Sequence, residues 1–431
     1  MKIKLLAFFL FALSGPVVSQ SLYYPGTGSW QTTDPSSLGW CTSEIDSLYT
    51  FLQKGDSKAF ILLKDGKIVL EKYFGTFTQD SLWYWASAGK TLTAFAVGLA
   101  QQKGFLKLSD TSSKYLGKGW SSLTPEQEAK ITVWHHLTMT TGLDDGNGDA
   151  DCTDKSCLTY KAEPGTRWAY HNAPYTLLDQ IMQGATGQNI NAFLNANVKP
   201  TTGMTGLFVK TGYNNVYFSN ARSMARYGLL LLGEGQWNGT AVMTDTGYLR
   251  RMRNSSQTLN RSYGYLTWLN GKSSFMVPQS QFVFPGSLMP DAPADMYAAL
   301  GKNSQYINVV PSKGLVLVRM GNNPPEGGGL VSTVYNNSIW KYLNKIMCQN
   351  NSTSGISDNN YTVYPNPSQG FIHISGALTA TDKTHIMSSN GLVVAEFTGV
   401  NDLDIRNLSP GIYTLHITHN SGNYVQKIVL E

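Results

Sequence analysis

Ser87 and Lys90 stand three residues apart in the stretch Trp85-Ala86-Ser87-Ala88-Gly89-Lys90. On a helix that spacing puts a hydroxyl and an amine on one face, one turn apart. Leu92, Phe95, Ala96 and Leu99 recur at helical spacing behind them, so the helix begins near the serine and ends near Gly104. A hydroxyl beside an amine is a nucleophile beside its base, provided the amine can shed its proton. Partial burial and the positive end of a helix both lower a lysine pKa. The spacing alone is a weak signal: Ser338 and Lys341 repeat it on a stretch that reads as a C-terminal helix. Gly89-Lys90-Thr91 also has the ending of a phosphate-binding loop, but Tyr84 stands where that loop needs a glycine, and the reading fails. No G-x-S-x-G elbow frames any serine, which argues against an α/β-hydrolase.

The elements that must position this pair are legible in outline. Ser43 to Leu52 reads as a helix. Ala59 to Leu63 and Ile68 to Glu71 flank an Asp65-Gly66 turn and form a hairpin. Thr176 to Gly184, Ile190 to Leu194 and Ala221 to Leu232 read as helices. Strands return at Tyr263 to Trp268, Tyr306 to Val310 and Leu315 to Met320, and a closing helix spans Val331 to Met347. Strands at both ends of a helical middle imply an α/β (α+β) arrangement, an antiparallel sheet flanked by helices with a helical insert. Gln349 to Asn360 is Asn/Ser-rich and reads as a linker. Beyond it, residues 361–431 hold short alternating segments of a small β-sandwich.

Lys2 and Lys4, the apolar run Leu5 to Leu13 and the Val17-Val18-Ser19 cleavage site read as a secretory signal over residues 1–19. The run is too short to span a bilayer, and the mature chain is expected to carry no transmembrane segment. The formal charge of +5 falls to +3 once that segment is removed. With no basic run, the chain gives no argument for a nucleic-acid partner. Four cysteines suit an oxidising compartment and allow three pairings. Cys152 with Cys157, in one Asp-rich loop, and Cys41 with Cys348, near the ends of the large domain, is the favoured set. No C-x-x-C spacing supports a metal site. Asp144 to Asp151 has carboxylates spaced like a calcium loop, yet Ala150 stands at the turn glycine and the terminal Glu is missing, so a solvated, disulfide-closed loop is expected.

Taken together, these residues resemble the serine β-lactamase and penicillin-binding-protein superfamily, and more closely its esterase and 6-aminohexanoate-dimer-hydrolase branch. The likeness runs from about Lys58 to Tyr342. After the S-x-x-K come Ile131 to Leu143, similar to a family "HLLTMTSGL" stretch, then Tyr170-His171-Asn172 as the Y-x-N motif, then Ser219 to Gly228. The resemblance implies an acyl-enzyme on Ser87, Lys90 as general base, Tyr170 as proton relay, and Asn172 bonded to the lysine or the substrate carbonyl. His135 and His136 are expected to pack or cap, and His171 to be structural. In place of Lys-Thr-Gly the chain has Ala299-Leu300-Gly301-Lys302-Asn303-Ser304-Gln305. Ala299 thus replaces the lysine that holds penicillin and stem-peptide carboxylates, and Ser304 replaces a usual glycine. The backbone N–H groups of Ser87 and Lys302 would form an oxyanion hole, each donor worth about 3 kcal/mol, with Gly301 admitting the ligand to the strand. Trp83, Trp85, Trp168, Tyr265 and Trp268 are candidates for lining the cleft, although aromatics at such spacing are usually core.

The resemblance implies an exported serine hydrolase cutting a small-molecule ester or amide, with no cofactor and no metal. Alternatives are a D-Ala-D-Ala peptidase or β-lactamase, and a non-catalytic surface binding protein. The last seventy residues, with Tyr364-Pro365-Asn366-Pro367, Leu408-Ser409-Pro410-Gly411 and Gln426 to Glu431, look like a type IX secretion sorting domain. That implies the type IX machinery as partner and export through the periplasm of a Bacteroidota-type bacterium to the surface or medium.

Overall fold

Asp65 and Gly66 take φ of 49° and 86°, the left-handed pair that a two-residue hairpin turn requires. They join β1 (Ser57–Lys64) to β2 (Lys67–Tyr73), the edge of the sheet that organises the larger part of the chain. The computed structural model describes residues 22–26, 28–325, 332–348, 361–376, 378–388, 393–419 and 422–431. The signal segment and the linker read from the sequence lie outside the described residues. The chain divides into two compact units between Met347 and Cys348.

In the first unit α1 (Ile45–Lys54) precedes β1. The central helix α2 (Gly89–Gln102) is followed by α3 (Val133–Leu137), α4 (Asn172–Thr186) and α5 (Ile190–Asn197). A hairpin of β3 (Leu207–Thr211) and β4 (Asn214–Ser219) leads to α6 (Ala221–Leu232). The chain then lays down β5 (Trp268–Leu269), β6 (Tyr297–Gly301), β7 (Gln305–Val310) and β8 (Leu315–Gly321) and closes with α7 (Thr333–Ile346). The sheet order is β2-β1-β8-β7-β6-β5, with every pair antiparallel.

Both faces of this sheet are covered, and β7 shows how. A Cβ on Gly228 of α6 would lie 2.9 Å from Ile307 and 2.4 Å from Val316 of β8, so that glycine lets α6 press onto the sheet. On the opposite face Asn308 donates to Asn336 of α7 (2.7 Å) and the Tyr306 hydroxyl donates to Ser332 O. Residues 306 and 308 thus point one way and 307 the other, as strand geometry demands. With both faces buried, β7 and β8 carry no exposed residue, which explains their nearly unbroken apolar sequence. The expected antiparallel sheet with flanking helices is therefore the fold.

One expected strand is absent. Tyr263 to Trp268 forms a tight turn, in which Gly264 N–H donates to Thr267 O (2.8 Å) and Leu266 takes φ of 48°. A Cβ on Gly264 would sit 2.1 Å from Met252 O, so the alternation there reflects a bend packed on backbone, with only Trp268–Leu269 paired as strand.

The second unit packs two small sheets around one core. β9 (Thr362–Tyr364), β10 (Phe371–Ser375) and, later, β13 (Asp402–Asp404) form one; β11 (Lys383–Ser388), β12 (Val393–Thr398), β14 (Gly411–His419) and β15 (Gly422–Leu430) form the other, in order β12-β11-β14-β15. Ile372, Ile374, Ile386, Leu403, Leu415 and Ile428 fill the space between. This is the expected small sandwich.

Candidate active site

Ser87 lies in a 3-10 turn, Ala86–Ala88, that runs directly into α2. Ala86 before it takes φ of 47°, a conformation that costs an L-residue about 1–2 kcal/mol and persists where neighbours over-determine the backbone. The neighbours are evident. Trp85 N–H donates to Tyr217 O (2.8 Å) and its indole Nε1 to Ser219 Oγ (2.8 Å), tying the turn to β4. On the other side Gly301 of β6 approaches so closely that a Cβ there would be 2.4 Å from Trp85 O and 3.1 Å from Ser87 N. The sheet edge is thus pressed against the serine's own backbone.

Residues Gly89 to Ala100 of α2 are all buried, and Lys90 with them at 3% exposure. Its Nζ lies 3.8 Å from the ring centroid of Tyr175 and 5.5 Å from that of Tyr170. Burial brings the amine from 10.5 down to about 7, against the opposing pull of Asp151 and Asp179. Asp179 is half-buried and accepts from Asn215 Nδ2 (2.6 Å). Burial raises its carboxyl to about 6, with Asn215, Lys210 and Lys90 acting the other way.

Tyr170 comes from the extended segment before α4, and Asn172 is the first residue of that helix. The Tyr170 ring stacks on Trp268 (centroids 5.6 Å, 29°) and meets Tyr263 edge-on (6.2 Å). Burial raises the pKa of its hydroxyl, against a smaller opposing pull from the neighbouring Ser87, so it stays protonated. Asn172 Nδ2 donates to Asp151 Oδ1 (2.6 Å), and its Oδ1 is a buried acceptor facing no donor among the described residues. The amide thus reaches an acid that sequence reasoning did not single out. Tyr175 and Asp179 were also missed, although they follow Asn172 at helical spacing on one face of α4.

Ser87, Lys90, Tyr170, Asn172, Tyr175 and Lys302 share one cleft of about 280 Å³ with Asp145, Asp151, Asn214, Asn215 and Gln279. The five aromatics named as cleft candidates are not in its lining. Trp85, Trp168, Tyr265 and Trp268 are at most 3% exposed and belong to the core, where Trp268 supports Tyr170 from behind. Trp83 is half-buried and packs on Phe77 and Tyr84. Large rings at these positions gain more from burial than a polar cleft offers.

The histidines take scaffold places. His135 Nδ1 accepts from Thr132 N–H (3.1 Å) at the start of α3. His136 bridges Ser112 Oγ (2.8 Å) and Pro174 O (2.7 Å), and burial lowers its pKa to about 4. His171 is buried at the N-cap of α4. In the Asp-rich loop Asp144 accepts from Gly146 N–H (3.0 Å), Asp145 pairs with Arg167 (2.7 Å), Asp149 accepts from Asp151 N–H (2.9 Å) and Asp151 holds Asn172. Among the described residues no cluster of three acidic, His or Cys side chains is arranged for a metal ion. Cys152 and Cys157 close this loop as a disulfide. Cys41 and Cys348 are each disulfide-bonded, and no described cysteine is free.

An S-x-x-K pair on a buried helix, set against the edge of an antiparallel sheet, is the architecture of the β-lactamase-like serine hydrolases. Residues 53–335 match the family model described as Beta-lactamase, and the chain belongs to that family. Residues 362–431 match a secretion system C-terminal sorting domain; the chain is thereby marked for the type IX route of Bacteroidota, to the cell surface or medium. An uncharacterized protein of Alkalihalophilus pseudofirmus is 26% identical over 312 residues, 63% of this chain and 86% of that one. A provisionally named β-lactamase from Bacteroides dorei superposes with a TM-score of 0.57 at 17% identity, over 72% of this chain and 100% of that one. A provisionally named 6-aminohexanoate-dimer hydrolase from Bacillus anthracis gives 0.57 at 16%, over 75% and 88%. At those identities the two structures share the fold. Among the described residues no helix is long and apolar enough to cross a membrane.

Proposed function

We propose that this chain is an exported serine hydrolase that cleaves a small ester or amide through an acyl-enzyme on Ser87. The observation that carries the reading is Lys90. Its amine is buried, three residues from Ser87, and lowered to about 7, so near neutral pH about half of it is free base. Ser87 Oγ attacks the carbonyl as its proton passes to Lys90 Nζ, directly or through the Tyr170 hydroxyl that it already meets. The backbone N–H groups of Ser87 and Lys302 receive the developing oxyanion. Tyr170 then hands its proton to the leaving group and takes one back from the Lys90 ammonium, and the free amine so restored deprotonates the water that releases the acyl group. The two backbone donors and the serine lie together because Gly301 brings β6 against the turn.

One feature favours esters and small amides over penicillins or peptidoglycan stems: Ala299 stands buried where a carboxylate-binding lysine would be. The domain division is read as signal 1–19, hydrolase 20–348, linker 349–360 and sorting domain 361–431. The test is hydrolysis of p-nitrophenyl butyrate and of a matched anilide by the native chain, Ser87→Ala and Lys90→Ala. Turnover by the native chain, reduced at least about a thousandfold in each variant, is expected. Equal rates in native and variant chains would refute the assignment.

A further inference from the structure

Arg319 on β8 is fully buried, yet among the described residues no carboxylate pairs with it. Its guanidinium is spent on four backbone carbonyls and one serine hydroxyl. Nη1 donates to Asn303 O (2.7 Å) and Ser304 O (2.9 Å), Nη2 to Gly55 O (2.7 Å) and Asn322 O (3.1 Å), and Nε to Ser57 Oγ (3.0 Å). The Tyr335 ring lies against it, 5.2 Å away. A buried cation without an acid is costly and needs a reason.

The reason lies in the turn it holds. Gly301 pairs with Gln305, so Lys302, Asn303 and Ser304 form a three-residue turn between β6 and β7. Asn303 and Ser304 take φ of 60° and 61°, two successive left-handed residues, neither of them glycine. Gln305 Nε2 adds donors to Lys302 O (3.3 Å) and Asn303 O (3.0 Å), and Asn303 Nδ2 donates to Tyr84 Oη (2.7 Å), next to the nucleophile's turn. The strained carbonyls are those capped.

We infer that Arg319 is a positioning residue for the hydrolysis: by clamping the Asn303 and Ser304 carbonyls it holds in place the turn that carries the Lys302 N–H to the oxyanion site. The clamp lets the chain carry Ser304 where glycine would take that conformation freely. The inference rests on the hydrolase reading above. A planar five-donor fork does what a lysine cannot, since it reaches both carbonyls and the opposite wall at once.

The test is Arg319→Lys, alone and with Ser304→Gly, assayed with p-nitrophenyl butyrate after near-UV circular dichroism has confirmed folding. The clamp predicts that kcat falls about 10–100-fold with KM within about threefold, since an oxyanion donor acts mainly in the transition state. It also predicts that the added glycine restores at least about tenfold of the loss, because the turn then needs no clamp. Unchanged kcat in Arg319→Lys, or no recovery in the double variant, would overturn it. Hydrogen exchange of the native chain tests the clamp without a variant. Peptides covering 299–306 are expected to exchange on the timescale of the strand 315–321, and exchange as fast as loop 144–154 overturns the clamp. A native chain that neither turns over esters nor is acylated would remove the hydrolase reading instead, with the exchange still reporting on the clamp.

Discussion

Replacing Lys90 by methionine is expected to abolish turnover and to stabilise the fold at neutral pH. The amine is 3% exposed, and burial takes it from 10.5 to about 7 in the native chain. Unfolded, it holds its proton until about pH 10.5. Between those limits the unfolded chain binds more protons, so this group's contribution to stability rises with pH, by about 1.4 kcal/mol per pH unit. Below pH 7 the penalty is constant, on the order of 5 kcal/mol. Lys90→Met removes the penalty while filling the same space. Urea midpoints from pH 6 to pH 10, followed by tryptophan fluorescence, provide the assay. All ten tryptophans precede residue 348, so the signal reports the hydrolase unit. The variant should be the more stable by a few kcal/mol at pH 7, with the native chain closing the gap as pH climbs to 10. Midpoints that run parallel across the range would refute the burial argument. The same pKa sets the pH profile of acylation, which should rise through about pH 7 as the base is freed.

Other consequences follow from the same geometry. Tyr170→Phe keeps the ring on Trp268 and removes the proton carrier, so kcat should fall about 10²–10⁴-fold with the thermal midpoint little changed; steady-state kinetics and a melting curve check both. Gly301→Ala would set a Cβ 2.4 Å from Trp85 O, pushing β6 off the nucleophile's turn; a loss of about 10²-fold or more in kcat is expected, with KM for a small ester less affected. Cys152→Ser with Cys157→Ser opens a short loop, and a stability loss of about 2 kcal/mol should appear as a lowered urea midpoint. Because Asp151 in that loop holds Asn172, activity should fall with it.

Local patterns gave away the elements that carry a strong repeat or a turn. The hairpin at Asp65-Gly66, the helix Ala221–Leu232 and the apolar strands β7 and β8 are plain because each is dictated by residues within a few positions. The segment at 263–268 misled because aromatic alternation mimics a strand, whereas the backbone of Met252 against Gly264 dictates a bend. Ser87, Lys90 and Tyr170, which the fold brings to one cleft, were legible as a set because S-x-x-K and Y-x-N compress their geometry into local spacing. Asp151, Asp179 and Arg319 were not. Each reaches a partner fifteen or more residues away in the chain, and no local pattern records which distant carbonyl or amide a side chain will meet. The cleft aromatics failed for a related reason, since a tryptophan's sequence position does not say which side of a wall it stands on.

The central claim is an activated Ser87, and the most direct measurement is the intact mass of the mature protein after reaction with a fluorophosphonate, for the native chain and for Ser87→Ala. The account predicts a single adduct on the native chain, forming faster as pH rises through about 7, and none on the variant. A folded native chain that takes up no adduct, or a variant labelled as readily as the native chain, would contradict it.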